Sequence, residues 1–310
     1  MPPADAAPTS PTDPVFVVGE ALVDIVDDAE GHHEHPGGSP LNVAYGLARL
    51  GVPTTLRTRF GRDARGRSLR EHLDRAGVAL DPASLTSEPT STALATVDAE
   101  GHAEYEFEID WTTGEIEAPR DARVVHTGSI ATALAPGADD VLRLFEHAAP
   151  GTLLTFDPNV RPGVTPDRAA VVARVDRLAG LAHVVKMSDE DAAWLHPGLS
   201  LEAVVAHYLD AGAALVAVTR GGDGCLVAAP GVLVSEPSLP VAVVDTIGAG
   251  DSFMSGAIFA ILSQGLRARM LDRSLSEADV RRIAEVALRS ARVTVSRAGA
   301  NPPSVAELAG

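Results

Sequence analysis

Residues 243–256 read VVDTIGAGDSFMSG: an apolar run, a turn built from Gly248, Ala249 and Gly250, then an apolar pattern at Phe253, Ala257, Ile258 and Ile261 with helical spacing. The start of a helix presents unpaired backbone N–H groups and about half a positive charge. Residues with little or no side chain let an anion approach those groups closely. Gly248, Ala249 and Gly250 therefore suit the charge that develops on a transferring phosphoryl group. Asp251 follows directly, where its carboxylate can accept the proton of an attacking hydroxyl. The helix start makes it a weak base. That is adequate for phosphoryl transfer, in which the nucleophile keeps its proton until late. A helix cap would use the same aspartate. A dinucleotide fingerprint does not fit, because Phe253 stands where G-x-G-x-x-G needs its third glycine, and no G-x-x-x-x-G-K-[ST] occurs.

A second constellation lies at 36–51, PGGSPLNVAYGLARLG. Gly37 and Gly38 allow close backbone approach ahead of a helix, and Asn42 in its first turn offers both a donor and an acceptor to a polyol. Asp24, just upstream, can accept from sugar hydroxyls. Arg161, in DPNVRP, is the candidate cation for a phosphate or the substrate. Lys186 is the only lysine among 25 basic residues, which points to a need for a compact ammonium at that place.

The elements that must position these groups follow from periodicity. VFVVGE (15–20) reads as a buried strand; an acidic, histidine-bearing loop, DDAEGHHEHPGG, comes after ALVDIV. TTLRTRF reads as a strand and SLREHLDRAGV as a helix closed by Gly77. Residues 90–110 alternate in two arms around Asp98-Ala99-Glu100-Gly101, the pattern of a hairpin. From Ala122 onward the strands ARVVHTG, TLLTFDP, AHVVKMS and ALVAVTR alternate with helices near 138–149, 167–179 and 200–211, and VAVVDT reads as one more strand. Such alternation predicts an α/β fold with a mostly parallel sheet covered on both faces. Its ligand crevice lies at the carboxyl ends of the strands. Those ends carry Gly128-Ser129, Asp157-Pro158-Asn159, Lys186-Met187-Ser188 and Thr219-Arg220-Gly221-Gly222.

Composition excludes other classes. A net charge of -17 over 310 residues repels nucleic acid and anionic membrane. No apolar run is long enough to span a bilayer. The segment MPPADAAPTSPTDP lacks the basic and apolar stretches of a signal peptide, and Cys225 has no partner for an intramolecular disulfide; both indicate the cytoplasm. Residues 1–14 read as a disordered tail and 306–310 as a C-terminal tail.

Together, GGSPLNVAYGLARLG and DTIGAGDSFMSGAI resemble the N- and C-terminal signatures of the ribokinase-like (PfkB) carbohydrate kinases. GRDARGRSLREHLDRAGV, TFDPNVRP, VVKMSDEDAAWL and VTRGGDG fall in that family's order and look most like its fructokinase branch. The resemblance covers about 15–305. It implies a three-layer α/β/α domain with a small β-sheet lid contributed by about 22–36 and 90–112. It implies ATP and Mg²⁺ as cofactors, and an ATP-dependent kinase acting on a primary hydroxyl, most like fructokinase. A 2-keto-3-deoxygluconate kinase or another ribokinase-family sugar or nucleoside kinase is the near alternative, and a silent sugar-binding regulator the non-enzymatic one. Residue by residue, Asp251 would be the base and Gly248, Ala249 and Gly250 the anion hole. Asp24, Gly37, Gly38 and Asn42 would hold sugar hydroxyls. Thr219, Gly221, Gly222 and Gly224 would line the nucleotide, with Lys186 and Ser188 beside them. Asp245 and the Ile247 carbonyl would sit at a monovalent-cation (K⁺) site. The family's Asn-x-x-Glu, which organises Mg²⁺, appears here as Ser188-Asp189-Glu190-Asp191, so either Glu190 or Asp191 would serve the metal's water shell. The open lid edge predicts a homodimer. His32, His33 and His35 read as surface histidines, His126 and Cys225 as packed groups. Tyr105, Phe107 and Trp111 lie near the lid, where they either touch the sugar or pack.

Overall fold

Alternation along each strand decides the layering. In β1 (Val15–Val18), Val15 and Val17 join one apolar cluster while Phe16 and Val18 join another on the opposite face. The computed structural model describes residues 11–28, 31–97, 103–165 and 167–309. Nine strands form the central sheet in the order β13-β12-β11-β10-β9-β8-β1-β4-β5. Here β4 is Thr54–Arg57, β5 Ala79–Leu80, β8 Val124–Gly128, β9 Leu153–Asp157 and β10 Val184–Ser188. The remaining strands are β11 (Leu215–Thr219), β12 (Cys225–Ala229) and β13 (Val232–Glu236). Seven run parallel from β5 to β11, and β12 and β13 add an antiparallel edge.

One face is covered by α1 (Ser39–Arg49), α2 (Ala64–Ala76), α7 (Ala249–Ser263), α8 (Arg267–Leu271) and α9 (Glu277–Val295). The other carries α3 (Gly137–Glu146), α4 (Arg168–Ala179), α5 (Asp189–Leu195) and α6 (Leu201–Ala211). The result is the expected three-layer α/β/α arrangement. Helix α7 is buried along its length, from Asp251 to Leu262, because α1 and α9 flank it over the sheet. Small residues allow that closeness: a Cβ on Gly46 would lie 2.6 Å from Ser255 Oγ, and one on Gly256 2.8 Å from Ser290 Cβ.

A separate four-stranded sheet, β3-β2-β6-β7, is built from two antiparallel hairpins joined by a parallel β2–β6 pair. Its strands are β2 (Leu22–Asp28), β3 (Gly31–Gly37), β6 (Thr92–Val97) and β7 (Ala103–Glu108), the last two being the arms that alternate at 90–110. The turn assigned to Asp98-Ala99-Glu100-Gly101 lies outside the described residues.

Four local readings need correction. The histidine-bearing stretch is strand β3 and not a loop; pairing with β2 overrides its polar composition. Residues 241–246 are not a strand: Val243 and Val244 are 62% and 64% exposed beyond the sheet edge, and Val244 N–H donates to the Val295 carbonyl at the end of α9. After 305 the chain forms α10 (Val305–Ala309), whose Leu308 is buried and whose Glu307 pairs with Arg49 and Arg297. Residues 11–14 pack, with Asp13 paired to Arg267, while 1–10 lie outside the described residues. Among the described residues, no helix is long and apolar enough to cross a membrane.

Candidate active site

The helices α1 and α7 begin side by side at the carboxyl edge of the sheet, and neither has a side-chain cap. Gly38 (φ 105°) and Gly248 (φ 74°) precede them in backbone conformations that favour glycine. Their first-turn amides thus face the cleft without a competing side-chain acceptor. Asp251, in the first turn of α7, is 8% exposed. Ser39 Oγ donates to its Oδ1 at 2.6 Å and Asn42 Nδ2 to its Oδ2 at 2.8 Å. Ala249 N–H turns back to the Thr246 carbonyl at 3.2 Å, so the amides of Gly250 and Asp251 are the better placed donors for an anion.

On one side of Asp251 lies a polar cleft of about 680 Å³. Asp24, Gly38, Asn42, Arg161, Lys186, Ser188, Glu190, Asp191, Thr219, Gly221 and the 247–251 turn all line it. Gly37 lies just behind: a Cβ there would come within 2.0 Å of Asp24 Oδ2, so glycine is needed for Asp24 to sit where it does. Burial lifts the Asp24 pKa to about 6, against the pull of Arg161 and His35. Arg161 is exposed at the rim and donates to the carbonyls of Asn159 and Val160 in its own turn.

Two contributors escaped the sequence reading. Glu20 lines the cleft with 3% exposure; its Oε2 accepts from Ala131 N–H at 3.1 Å, and burial raises its pKa to about 7. Its signal was a carboxylate just past a wholly apolar strand end, where no solvent face is available. Ser39 was hidden because its contact with Asp251 spans 212 positions.

On the other side of the 248–250 turn lies a second, largely apolar cavity of about 420 Å³. Val243, Phe253, Leu288, Ala291 and Val295 form its apolar wall, and Gly221, Gly222 and Gly224 its rim. Gly224 (φ 86°) is required: a Cβ would lie 2.0 Å from the Glu236 carbonyl. Thr219, Gly221, Thr246, Ala249 and Gly250 line both spaces, which makes one cleft with the anion-binding turn at its joint.

Lys186 rises beneath that joint. Its Nζ donates to Asp157 Oδ2 at 2.8 Å with both side chains buried, and a Cβ on Gly250 would lie 2.8 Å from it. Burial opposes its charge, yet Asp157, with Asp191 and Asp251 beyond, raises its pKa above the ordinary lysine value. Among the described residues, Asp157 Oδ1 has no hydrogen-bond partner.

The two metal candidates separate. Asp191 closes a capping box with Ser188, its Oδ2 accepting from Ser188 N–H at 2.9 Å and its Oδ1 from Val160 N–H at 2.8 Å. Glu190 is exposed on the cleft wall. Asp245 lines neither space. Its oxygens accept from Ile247 N–H at 3.0 Å and Gly299 N–H at 2.8 Å, and these amides, Ile247 first, hold its pKa down. The ionised carboxylate keeps further lone pairs that remain able to meet a cation.

The remaining candidates are structural. His126 is buried, with Nδ1 3.0 Å from Thr155 Oγ1, and burial lowers its pKa to about 3. Trp111 is core, its Nε1–H donating to the Ala131 carbonyl at 2.9 Å. Phe107 is the exception and lines the polar cleft; the side chain of Tyr105 lies outside the described residues. Burial pushes the Cys225 thiol up to about 12. His32 pairs with Asp27 at 2.6 Å on the lid surface.

Comparison with known proteins fits this geometry. The model of the pfkB family carbohydrate kinases matches residues 13–307. A fructokinase of Rhizobium leguminosarum bv. trifolii is 32% identical over 279 residues, covering 86% of this chain and 85% of the relative. A Salmonella typhimurium fructokinase is 32% identical over 262 residues, covering 81% and 85%. The crystal structure of a double-mutant fructokinase from Vibrio cholerae O395, bound to fructose, ADP and potassium ion, superposes with a TM-score of 0.82 at 27% identity over 97% of this chain and 98% of the other. The chain therefore belongs to the pfkB family of carbohydrate kinases and is an ATP-dependent sugar kinase.

Proposed function

We propose that the protein is a fructokinase, transferring the γ-phosphoryl of ATP to the primary hydroxyl at C6 of D-fructose. The observation that carries this reading is the position of Asp251, fixed by Ser39 and Asn42 at the joint between a polar cleft and an apolar cavity. The sugar occupies the polar side, where Asp24 accepts from its hydroxyls and the Asn42 carbonyl oxygen offers another acceptor. The adenine occupies the apolar side against Val243, Phe253 and Leu288. The curated relatives named fructokinase support the choice of sugar.

In the reaction, the sugar hydroxyl oxygen bonds to the γ-phosphorus as the bond to the ADP oxygen breaks, and Asp251 takes the hydroxyl proton. The amides of the α7 start, with Gly248 and Ala249 leaving room, hold the equatorial oxygens, and Lys186 and Arg161 add positive charge from below and from the rim. Magnesium bound to ATP would neutralise phosphate charge, and its water shell would meet Glu190, exposed on the cleft wall, or Asp191, which lines the same cleft and keeps lone pairs beyond those its two amides use. Potassium would bind at Asp245 and the Ile247 carbonyl, steadying the turn that carries the anion hole. Lid closure excludes water that would otherwise hydrolyse ATP. A homodimer formed through lid edges β3 and β7 is part of the same reading; a monomeric mass by light scattering removes that part alone.

The test is ADP release from Mg-ATP with fructose, 2-keto-3-deoxygluconate, ribose, adenosine or no sugar, wild type beside Asp251→Asn. Fructose-dependent release lost in the variant is expected. Preference for another sugar overturns fructose, and release that survives in the variant overturns the role of Asp251.

A further inference from the structure

We propose that Asp176, His196 and His207 form a second, non-catalytic metal site on the outer helical layer, selective for a divalent transition-metal ion of the zinc class. Asp176 lies on α4, His196 directly follows α5, and His207 lies on α6, so three successive helices each give one donor. One donor atom from each of the three lies within 4.8 Å of the others. None of them lines either part of the kinase cleft.

The spacing suits a small tetrahedral ion. Zinc binds imidazole nitrogen and carboxylate oxygen at about 2.0–2.2 Å, which places neighbouring donors roughly 3.3 Å apart. Asp176 Oδ1 and His207 Nε2 already stand 3.2 Å apart. The His196 ring is next to them, with its centroid 4.9 Å from that of His207. His196 also carries the outer partner that ligating imidazoles need for orientation: its Nε2 is 2.8 Å from the Tyr208 hydroxyl, and Tyr208 is fully buried, so that oxygen is fixed. His207 and Asp176 keep partly exposed side chains, 43% and 41%, which leaves a path for entry and a fourth position for water. Arg177, the adjacent cation, is drawn onto Glu146 and does not occupy the Asp176 carboxylate.

Two imidazoles and one carboxylate select zinc-class ions over magnesium, which prefers oxygen donors and keeps its water. The Mg²⁺ that accompanies ATP therefore does not compete here. A bound ion would reinforce the end of α5 between α4 and α6, a join already made by Arg168, which donates to the Trp194 and Leu195 carbonyls, by the His196–Tyr208 hydrogen bond and by apolar packing.

The experiment is equilibrium dialysis of chelator-stripped protein against zinc chloride, with thermal melts run in parallel. One bound ion per chain and a raised melting midpoint are expected. Binding should weaken at least about ten-fold in His207→Gln and in Asp176→Asn, both partly exposed positions, whose metal-free melts serve as the check on folding. A variant with His32, His33 and His35 all changed to Gln should bind as wild type does. No stoichiometric ion, binding unchanged in His207→Gln and Asp176→Asn, or binding lost with the lid histidines would each overturn the site. Because the readout is bound metal and not ADP, a failure here leaves the kinase reading untouched, and the reverse holds.

Discussion

Asn42 Nδ2 donates to Asp251 Oδ2 at 2.8 Å and so joins the first turns of two helices whose residues lie 209 positions apart. With Ser39 on the other oxygen, the carboxylate is fixed before any substrate arrives. Asp251→Asn is expected to lower kcat by about 10²–10⁴-fold while sugar binding changes little. Ser39→Ala, which keeps the carboxylate but frees one oxygen, should lower kcat about ten-fold with an unchanged KM for ATP. Steady-state kinetics with both substrates varied checks both.

Gly37→Ala places a methyl group where Asp24 Oδ2 now sits, at 2.0 Å. The side chain must swing away, so kcat/KM for the sugar should fall about a hundred-fold. KM for ATP should stay as it is, since Gly37 lies on the far side of the 248–250 turn. An equal loss for both substrates would mean a general disruption of the cleft.

Lys186 and Asp157 form an ion pair with both side chains buried. Lys186→Met strands the carboxylate without its counter-charge and should destabilise the fold by about 3–5 kcal/mol. Adding Asp157→Asn to that variant should restore part of the loss, because the uncompensated charge is gone. Denaturant melts of the two single variants and the double variant measure this coupling.

Asp24 has a pKa near 6 because it is buried. On the proposed reading its carboxylate accepts from sugar hydroxyls above that pH; below it, protonation removes the charge. The KM for fructose is therefore expected to rise as pH falls through about 6. In Asp24→Asn it should be high and nearly flat over the same range, in a pH series of initial rates.

Glu20 titrates near 7 in the folded chain against 4.5 for an ordinary glutamate, because burial disfavours its charge. A raised folded pKa means that the native state holds the proton more tightly, so this group's contribution to stability is full below about 4.5 and is lost as pH rises through about 7. The loss is on the order of 3 kcal/mol at neutral pH and above. Glu20→Gln keeps an acceptor for Ala131 N–H and should flatten that slope, which melts between pH 4 and pH 8 will show.

Local chemistry was legible in the chain itself. The GAG turn ahead of Asp251, the paired Gly37 and Gly38, the alternation of strands and helices from Ala122, and the two arms at 90–110 follow from periods of 2 and 3.6 and from the backbone freedom of glycine, all short-range properties; the strand at 31–37 does not, because its polar composition reads as a loop. The strand assigned to 241–246 failed for the opposite reason. Its apolar side chains suit a sheet, but the sheet ends at β13, and Val243 lines the apolar cavity instead. The helix at 305–309 was missed because its anchors, Arg49 and the α9 end, come from elsewhere. The sequence by itself determined which groups could do phosphoryl chemistry and in what kind of fold. Only the tertiary structure decided that Ser39 and Asn42 hold Asp251, that Asp191 accepts from the Ser188 and Val160 amides while Glu190 is exposed on the cleft wall, and that burial disfavours the charge of Glu20 while Lys186 keeps its own through Asp157. Each of these depends on contacts between distant segments, and burial sets both the cost of a charge and the partner that must meet it.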